Sequence, residues 1–334
     1  MGIAKDMKRI EKIGIWMICL IWVLAAGCSH SEDDAVVPVN KDVKTRLLTF
    51  TQVENRGSRA VLYEDAENGL KALWKRGDQL GCCNLTTLMD DIIASGGIST
   101  GTLTAQNDNF ATSIFQGSMS CEQNDQLAVI YPVKNFGFGL EHEPEIRYFV
   151  NYTITLSGQN GSLATLATDY HYMYGLATVN SVTNSTAEAS GKMKSLLAVC
   201  KFSFTDGEGH TINVKELEIS YVYDGSGGNQ PIYPQSAIVK FYEDGSYSIN
   251  PVVPNDADYV PSNKSLIIQT VPGSDSQYPT DVYVALLPVT TRTFRFNVTD
   301  ANDGTYTGKA MATLQAGEYV VASIPVKMKN ESGI

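Results

Sequence analysis

Three hydrophobic patterns succeed one another along the chain. Residues 13–26 form an uncharged apolar run behind Lys5, Lys8, Arg9 and Lys12, the layout of a secretory signal. At about 14 residues the run is too short to span a bilayer comfortably. Residues 29–46 carry no periodic apolar positions and include Pro38, as a tether does. From residue 47 onward the chain becomes a succession of short runs rich in β-branched and aromatic residues and bounded by Gly, Asn and Asp, which predict strands.

The first strand is predicted over 47–53, and Glu54-Asn55-Arg56-Gly57-Ser58-Arg59 follows it as a loop. Further strands are expected at 60–63, 73–74, 79–80, 101–104, 111–115, 127–131 and 145–156, separated by turn signals such as Gly96-Gly97 and Asn107-Asp108. A short helix fits 85–94, where Leu85, Leu88, Met89, Ile92 and Ile93 share a face. Residues 180–192 are dense in Ser, Thr, Asn, Ala and Gly and read as a domain boundary. Beyond them come strands at 198–204, 217–223, 237–242, 266–271, 282–287, 293–298, 306–314 and 319–326. Asp206-Gly207-Glu208-Gly209 and Asp224-Gly225-Ser226-Gly227-Gly228 have the chemistry of hairpin turns, and Asn302-Asp303-Gly304 that of a tight turn. The expectation is an all-β chain of two β-sandwich domains: a signal over 1–27, a tether over 28–46, and domains over 47–185 and 186–334.

Composition narrows the partners. The chain has 334 residues, is 43% hydrophobic and 18% charged, and carries a formal charge of −11. The signal holds four basic and two acidic side chains, so without it the charge is −13. Such a surface does not suit nucleic acid. Of six cysteines, Cys19 lies in the signal and Cys28 directly after it, which leaves Cys82, Cys83, Cys121 and Cys200 in a compartment that permits disulfides. Their connectivity is not legible. Cys200 alternates with Phe202 and Phe204, so a buried, inert thiol is expected there.

The signal closes in Leu24-Ala25-Ala26-Gly27-Cys28, which by its small residues before a cysteine resembles a bacterial lipobox, so Cys28 is the expected lipidation site and the membrane a partner through that lipid; the alternative is an ordinary secretory signal with an incidental cysteine. Just after it, Glu32-Asp33-Asp34 reads either as a solvated linker or, by resemblance, as the acidic signal that sends Bacteroidetes lipoproteins to the outside of the outer membrane. Chemistry elsewhere is sparse. His142, His171 and His210 have no partner at a motif spacing, Cys82-Cys83 is not a C-x-x-C pair, and no nucleophile with a base emerges. The expectation is no enzyme, no cofactor and no metal; the acidic turn at 300–304 lacks the ligand spacing of a calcium loop.

Several segments in order resemble the fimbrillins, the pilus subunits of Bacteroidetes, including the fimbrillin-like lipoproteins of gut species. Trp74-Lys75-Arg76-Gly77-Asp78 is similar to the family's W-x-x-G-D, and Leu127-Ala128-Val129-Ile130-Tyr131-Pro132 to its strand ending in Tyr-Pro. The segment 169–175 resembles the close of its first domain; Leu286-Leu287-Pro288, Asp303-Gly304-Thr305-Tyr306 and Leu314-Gln315-Ala316-Gly317-Glu318-Tyr319 resemble its last hairpin region. The resemblance implies two transthyretin-like sandwiches and assembly by donor-strand exchange: a trypsin-like protease removes the first strand, and another subunit's strand fills the groove. Its implied partners are other fimbrillin subunits, with a host or bacterial surface ligand as adhesive target.

Processing is then expected at Arg59-Ala60, with Arg56-Gly57 next, because a cut there removes 47–53 whole, whereas a cut after Arg46 leaves it in place. The alternative is that these are ordinary arginines of a turn made by Gly57. The family's stalk subunits carry a donor segment beyond the last core strand. Here 327–334 is polar, so a tip or accessory subunit is expected, with a stalk role as the alternative if 324–328 peels away to serve as donor. A surface glycan-binding lipoprotein is the other reading; it needs an aromatic platform, for which Tyr170, Tyr172 and Tyr174 with His171, or Tyr221 with Tyr223, are the candidates.

Overall fold

The computed structural model describes residues 44–53, 61–65, 69–108, 112–142, 146–222, 233–252 and 265–329. Cys28, the pairs Arg56-Gly57 and Arg59-Ala60, and the turn at 224–228 lie outside the described residues.

In chain order the first elements are β1 (Thr45–Gln52), β2 (Val61–Asp65), β3 (Gly69–Leu73), β4 (Gln79–Asn84), the helix α1 (Leu88–Ser95), β5 (Thr100–Ala105), β6 (Ile114–Ser120) and β7 (Gln126–Tyr131). Then come β8 (Gly137–Glu141), β9 (Arg147–Thr155), β10 (Met173–Val182) and β11 (Thr186–Ser195). Seven of these strands close a barrel in the order β1-β11-β10-β7-β4-β5-β6. Strand periodicity explains its two-sided burial. Leu127, Val129 and Tyr131 of β7 point into the barrel, while Ala128 and Ile130 point out into a second core, so the run is apolar throughout. Cys82 and Cys83 divide in the same way, one into each core. All four cysteines of the described residues are buried and unbridged. Burial pushes the Cys121 thiol up to about 11 and the Cys200 thiol up to about 12, so Cys200 is the buried thiol its alternation predicted.

The remaining strands are β12 (Ala198–Thr205), β13 (Val214–Tyr221), β14 (Ser236–Tyr242), β15 (Tyr247–Val252), β16 (Leu266–Gln269), β17 (Asp281–Leu286), β18 (Val289–Asp300), β19 (Thr305–Leu314), β20 (Tyr319–Pro325) and β21 (Lys327–Met328). A four-stranded sheet, β15-β14-β9-β8, packs on the outside of the barrel, where Tyr174 of β10 stacks on Phe241 of β14 with ring centroids 4.4 Å apart. Two further sheets, β17-β12-β20 and β16-β13-β18-β19-β21, enclose Phe202, Phe204, Leu217, Ile219, Phe296 and Ile324. The chain is all-β and layered as β-sandwiches are, with β1 joining the edges of the first unit into a barrel.

Three expectations change. Residues 180–192, read as a boundary, are the β10–β11 hairpin, and β11 belongs to the barrel, so a division at 185 falls inside a sheet. The small residues that suggested a linker serve packing instead: Ala187 and Ala189 face the barrel interior opposite β1. The sheets also cross that division, since β14 pairs with β9. The helix is Leu88–Ser95 rather than 85–94, and only part of its predicted face is covered: Leu88 is buried and Ile92 partly so, while Met89 and Ile93 are exposed. One helical step of about 100° carries these two off the buried stripe. Finally, the polar stretch after β20 begins with an ordered pair, Tyr306 opposite Met328 and Thr307 opposite Lys327.

Candidate functional site

β1 sits between β11, to which it runs parallel, and β6, to which it runs antiparallel. Its alternation puts Arg46, Leu48, Phe50 and Gln52 inward and leaves Leu47 exposed. Three of the four neighbours flanking Leu48 and Phe50 are small, and the fourth is aromatic. Leu48 lies beside Ala187 on one side and Gly117 on the other, and Phe50 beside Ala189 and Phe115. Gly117 is required by the approach of β5, because a Cβ there would lie 2.0 Å from the carbonyl oxygen of Thr102. The Phe50 and Phe115 ring centroids are 6.0 Å apart.

The barrel end beneath Phe115 is filled by Trp74, which meets Phe115 edge-on at 4.9 Å and Tyr131 edge-on at 5.2 Å. The W-x-x-G-D segment is the device that holds it there. Gly77 adopts φ 91°, a left-handed conformation that suits glycine, and its N–H donates to the Ala105 carbonyl at 3.0 Å. The Asp78 carboxylate accepts from the Lys75 N–H at 2.7 Å and closes the turn. The indole N–H of Trp74 donates to Gln52 Oε1, tying the C-terminal end of β1 to the plug.

The N-terminal end of β1 is held by Arg46, whose residue is 6% exposed. Its Nε donates to the Thr183 carbonyl at 2.7 Å, Nη1 to the Cys121 carbonyl, and Nη1 and Nη2 to the two carboxylate oxygens of Glu122 at 3.0 Å each. The guanidinium holds the Glu122 carboxyl below the usual glutamate range. Glu122 is itself positioned: its N–H donates to Asp125 Oδ2 at 2.8 Å, and Asn84 Nδ2 donates to the same oxygen at 2.7 Å. Sequence reasoning missed Glu122, Asp125 and Asn84, and it took Arg46 only as a possible cut point. It also began the first strand at 47, whereas β1 begins at Thr45, so a cut after Arg46 would break the strand.

The hairpin β2–β3 follows the 54–60 connection and is held by the sheet β17-β12-β20. Lys201 Nζ lies 3.1 Å from Glu64 Oε1 and 3.0 Å from Asp281 Oδ2, and the Tyr319 hydroxyl donates to Glu64. That hydroxyl, with Lys201, holds the Glu64 carboxyl below its ordinary range.

The tyrosines considered as a platform are packing residues. Tyr170, Tyr172 and Tyr174 are buried; Tyr170 donates to the Ser157 carbonyl at 2.8 Å and Tyr174 to the Gly245 carbonyl at 3.1 Å. His171 is buried beside them. Tyr221 packs against Tyr233 and Phe294, and Tyr223 lies outside the described residues. On the exposed β12–β13 turn, His210 Nδ1 lies 3.2 Å from Asp206 Oδ2. The Asp300 carboxylate accepts from the N–H groups of Asn302 and Gly304, at 2.8 and 2.7 Å, and from the Tyr306 hydroxyl, as a hairpin turn does. Among the described residues no group of three or more His, Cys, Asp or Glu side chains is arranged to hold a metal ion, and no helix is long and apolar enough to cross a membrane.

No protein-family model matches the sequence, and no curated protein matches it. Solved structures do. These neighbours are Bacteroides adhesion and fimbrial proteins. A proposed cell adhesion protein from Bacteroides ovatus ATCC 8483 is 12% identical with a TM-score of 0.49, the match covering 86% of this chain and 97% of that one. Another from Bacteroides uniformis ATCC 8492 is 13% identical with a TM-score of 0.49, covering 85% and 96%. A fimbrial protein from Bacteroides ovatus ATCC 8483 is 9% identical with a TM-score of 0.34, covering 84% of this chain and 50% of that one.

Proposed function

We propose that the protein is a fimbrillin-type pilus subunit, carried to the outer face of the outer membrane as a lipoprotein on Cys28 and joined to its fibre by exchanging β1 for a strand of another subunit. The observation that carries this reading is the place of β1: the first described strand closes the barrel with two inward apolar side chains and a polar clamp at each end. Only the 54–60 connection, which contains Arg56 and Arg59, links it forward to the body. A cut at Arg59-Ala60, or at Arg56-Gly57, leaves lipid, tether and β1 as one piece. The body is then bound to that piece by non-covalent contacts alone. Burial of Leu48 and Phe50 supplies roughly 1.5–3 kcal/mol each, an amount that an incoming strand with equivalent side chains replaces. Arg46 is a poor protease target in this state, because its guanidinium is buried and its backbone is laddered on both sides. The retained hairpin starts at Val61 and is tethered to the body through Glu64.

The body is read as two sandwich units, the first built on β1 and β4–β11 with β14 and β15 added to it through β9, so that no single cut of the chain at 185 or 195 separates them. β20 lies in the second unit, laddered in parallel to β12 from Tyr319 to Pro325 with Ile324 buried and Val326 buried just beyond it. Lending it to a neighbour would open that core. This supports a subunit that accepts a strand without giving β20, the behaviour of a tip or accessory subunit. Immunogold labelling of intact cells with antibody to this chain tests the reading. Gold on fibres, concentrated at distal ends, is expected. Gold along the shaft would make it a stalk subunit, and gold confined to the membrane would overturn the pilus assignment.

A further inference from the structure

We infer that the seat of β1 selects its occupant by polar groups at its two ends, so that the strand it accepts from a partner subunit carries an arginine at its first inward position and a hydrogen-bond acceptor six residues later. This deepens the proposed function and rests on it. With β1 gone, the end near Glu122 keeps the carbonyl oxygens of Cys121 and Thr183 and the Glu122 carboxylate, all of them acceptors that Arg46 now satisfies. The end near Trp74 keeps an indole N–H, a donor that Gln52 now satisfies, on a fully buried side chain. Of the acceptors, the Cys121 carbonyl belongs to a buried residue, while Thr183 is exposed and the Glu122 side chain 39% exposed, so at that end the cost of a missing partner falls chiefly on the Cys121 carbonyl, as at the other end it falls on the buried indole N–H. An apolar occupant would fill the Leu48 and Phe50 pockets and strand both ends.

The acceptor end calls for arginine rather than lysine. Its oxygens lie in three directions from one point, the carboxylate taking a two-pronged contact and the carbonyls the remaining N–H groups; a guanidinium offers five N–H donors in a fixed fork, an ammonium three on a flexible stem. The Glu122 backbone is anchored through its N–H to Asp125, which Asn84 holds in turn, so the carboxylate is presented from a fixed point on the chain. The two ends also fix direction and register. Arg46 and Gln52 are six residues apart, roughly 20 Å along a strand. A one-residue slip turns every inward side chain outward, and a two-residue slip, which keeps the faces, takes the cation away from its oxygens. The partner is therefore a different chain from this one's own β20, whose residues Tyr319, Val320, Val321, Ala322, Ser323, Ile324 and Pro325 include no basic side chain.

The test uses the full-length protein nicked within 54–60, with β1 still in place, refolded from mild urea in excess of fluorescent peptides. The peptides copy residues 44–53, either unchanged or with R46A, R46E or Q52L, and retained label is read after gel filtration. The unchanged peptide should be captured, R46A and Q52L at least about tenfold more weakly, and R46E least. In protein carrying Glu122→Lys the order of the unchanged and R46E peptides should reverse. Capture of R46A and Q52L within twofold of the unchanged peptide would overturn the end-selection inference while leaving strand exchange standing. If no peptide, the unchanged one included, replaced β1, the exchange reading itself would fall.

Discussion

Replacing Trp74 by alanine should destabilise the protein by about 3–5 kcal/mol, the range for deleting a large aromatic from a packed core. Trp74 is fully buried, and two aromatic edges, those of Phe115 and Tyr131, lose their partner at once. The loss also reaches β1, because Gln52 would be left with a buried amide oxygen facing a cavity in place of the indole N–H. A Trp74→Phe variant retains most of the volume and none of the N–H, so it should fall between the two. Urea unfolding of the three proteins measures this. A Trp74→Ala loss under about 1 kcal/mol would mean that the barrel end collapses around the gap and that the W-x-x-G-D turn does not position a plug.

The Arg56→Ala, Arg59→Ala double variant should abolish assembly without altering the fold. Urea unfolding is the control, with the midpoint of the double variant expected to match that of the parent protein. Fibre-associated protein, in contrast, should disappear, because β1 remains covalently attached to the body and competes within its own chain. A tethered strand meets its seat at an effective concentration in the millimolar range, which a free strand at micromolar concentration does not match. Normal fibres containing the double variant would show that neither arginine is the processing site and that both belong to an ordinary turn.

Much of this fold was legible from periodicity. β1 alternates as a half-buried strand should, and the β7 run is apolar because both of its faces are covered. Strands such as β12, β17 and β19 were found within a residue or two for the same reason. What stayed hidden was pattern set by neighbours rather than by period. β11 looked like a linker because its inward positions must be small where β1 brings Leu48 and Phe50. β8 was missed because two of its five residues are glycines: Phe149 lies over Gly139 and Asn151 over Gly137, leaving no side-chain alternation to read. The clamp on β1 was beyond sequence reasoning altogether. Arg46 and Glu122 are 76 positions apart, and no spacing rule joins them. The W-x-x-G-D motif was visible as a resemblance, but its mechanical sense, a left-handed glycine and a closing aspartate that aim a tryptophan into a barrel, needed coordinates.

Sequencing the N-terminus of the protein recovered from purified fibres addresses strand removal most directly. The body should begin at Ala60, or at Gly57 if the earlier arginine is cut, with residues 45–52 absent from the fibre fraction and retained with the membrane. Fibre protein that begins at Cys28 with its lipid intact would contradict strand exchange at this seat.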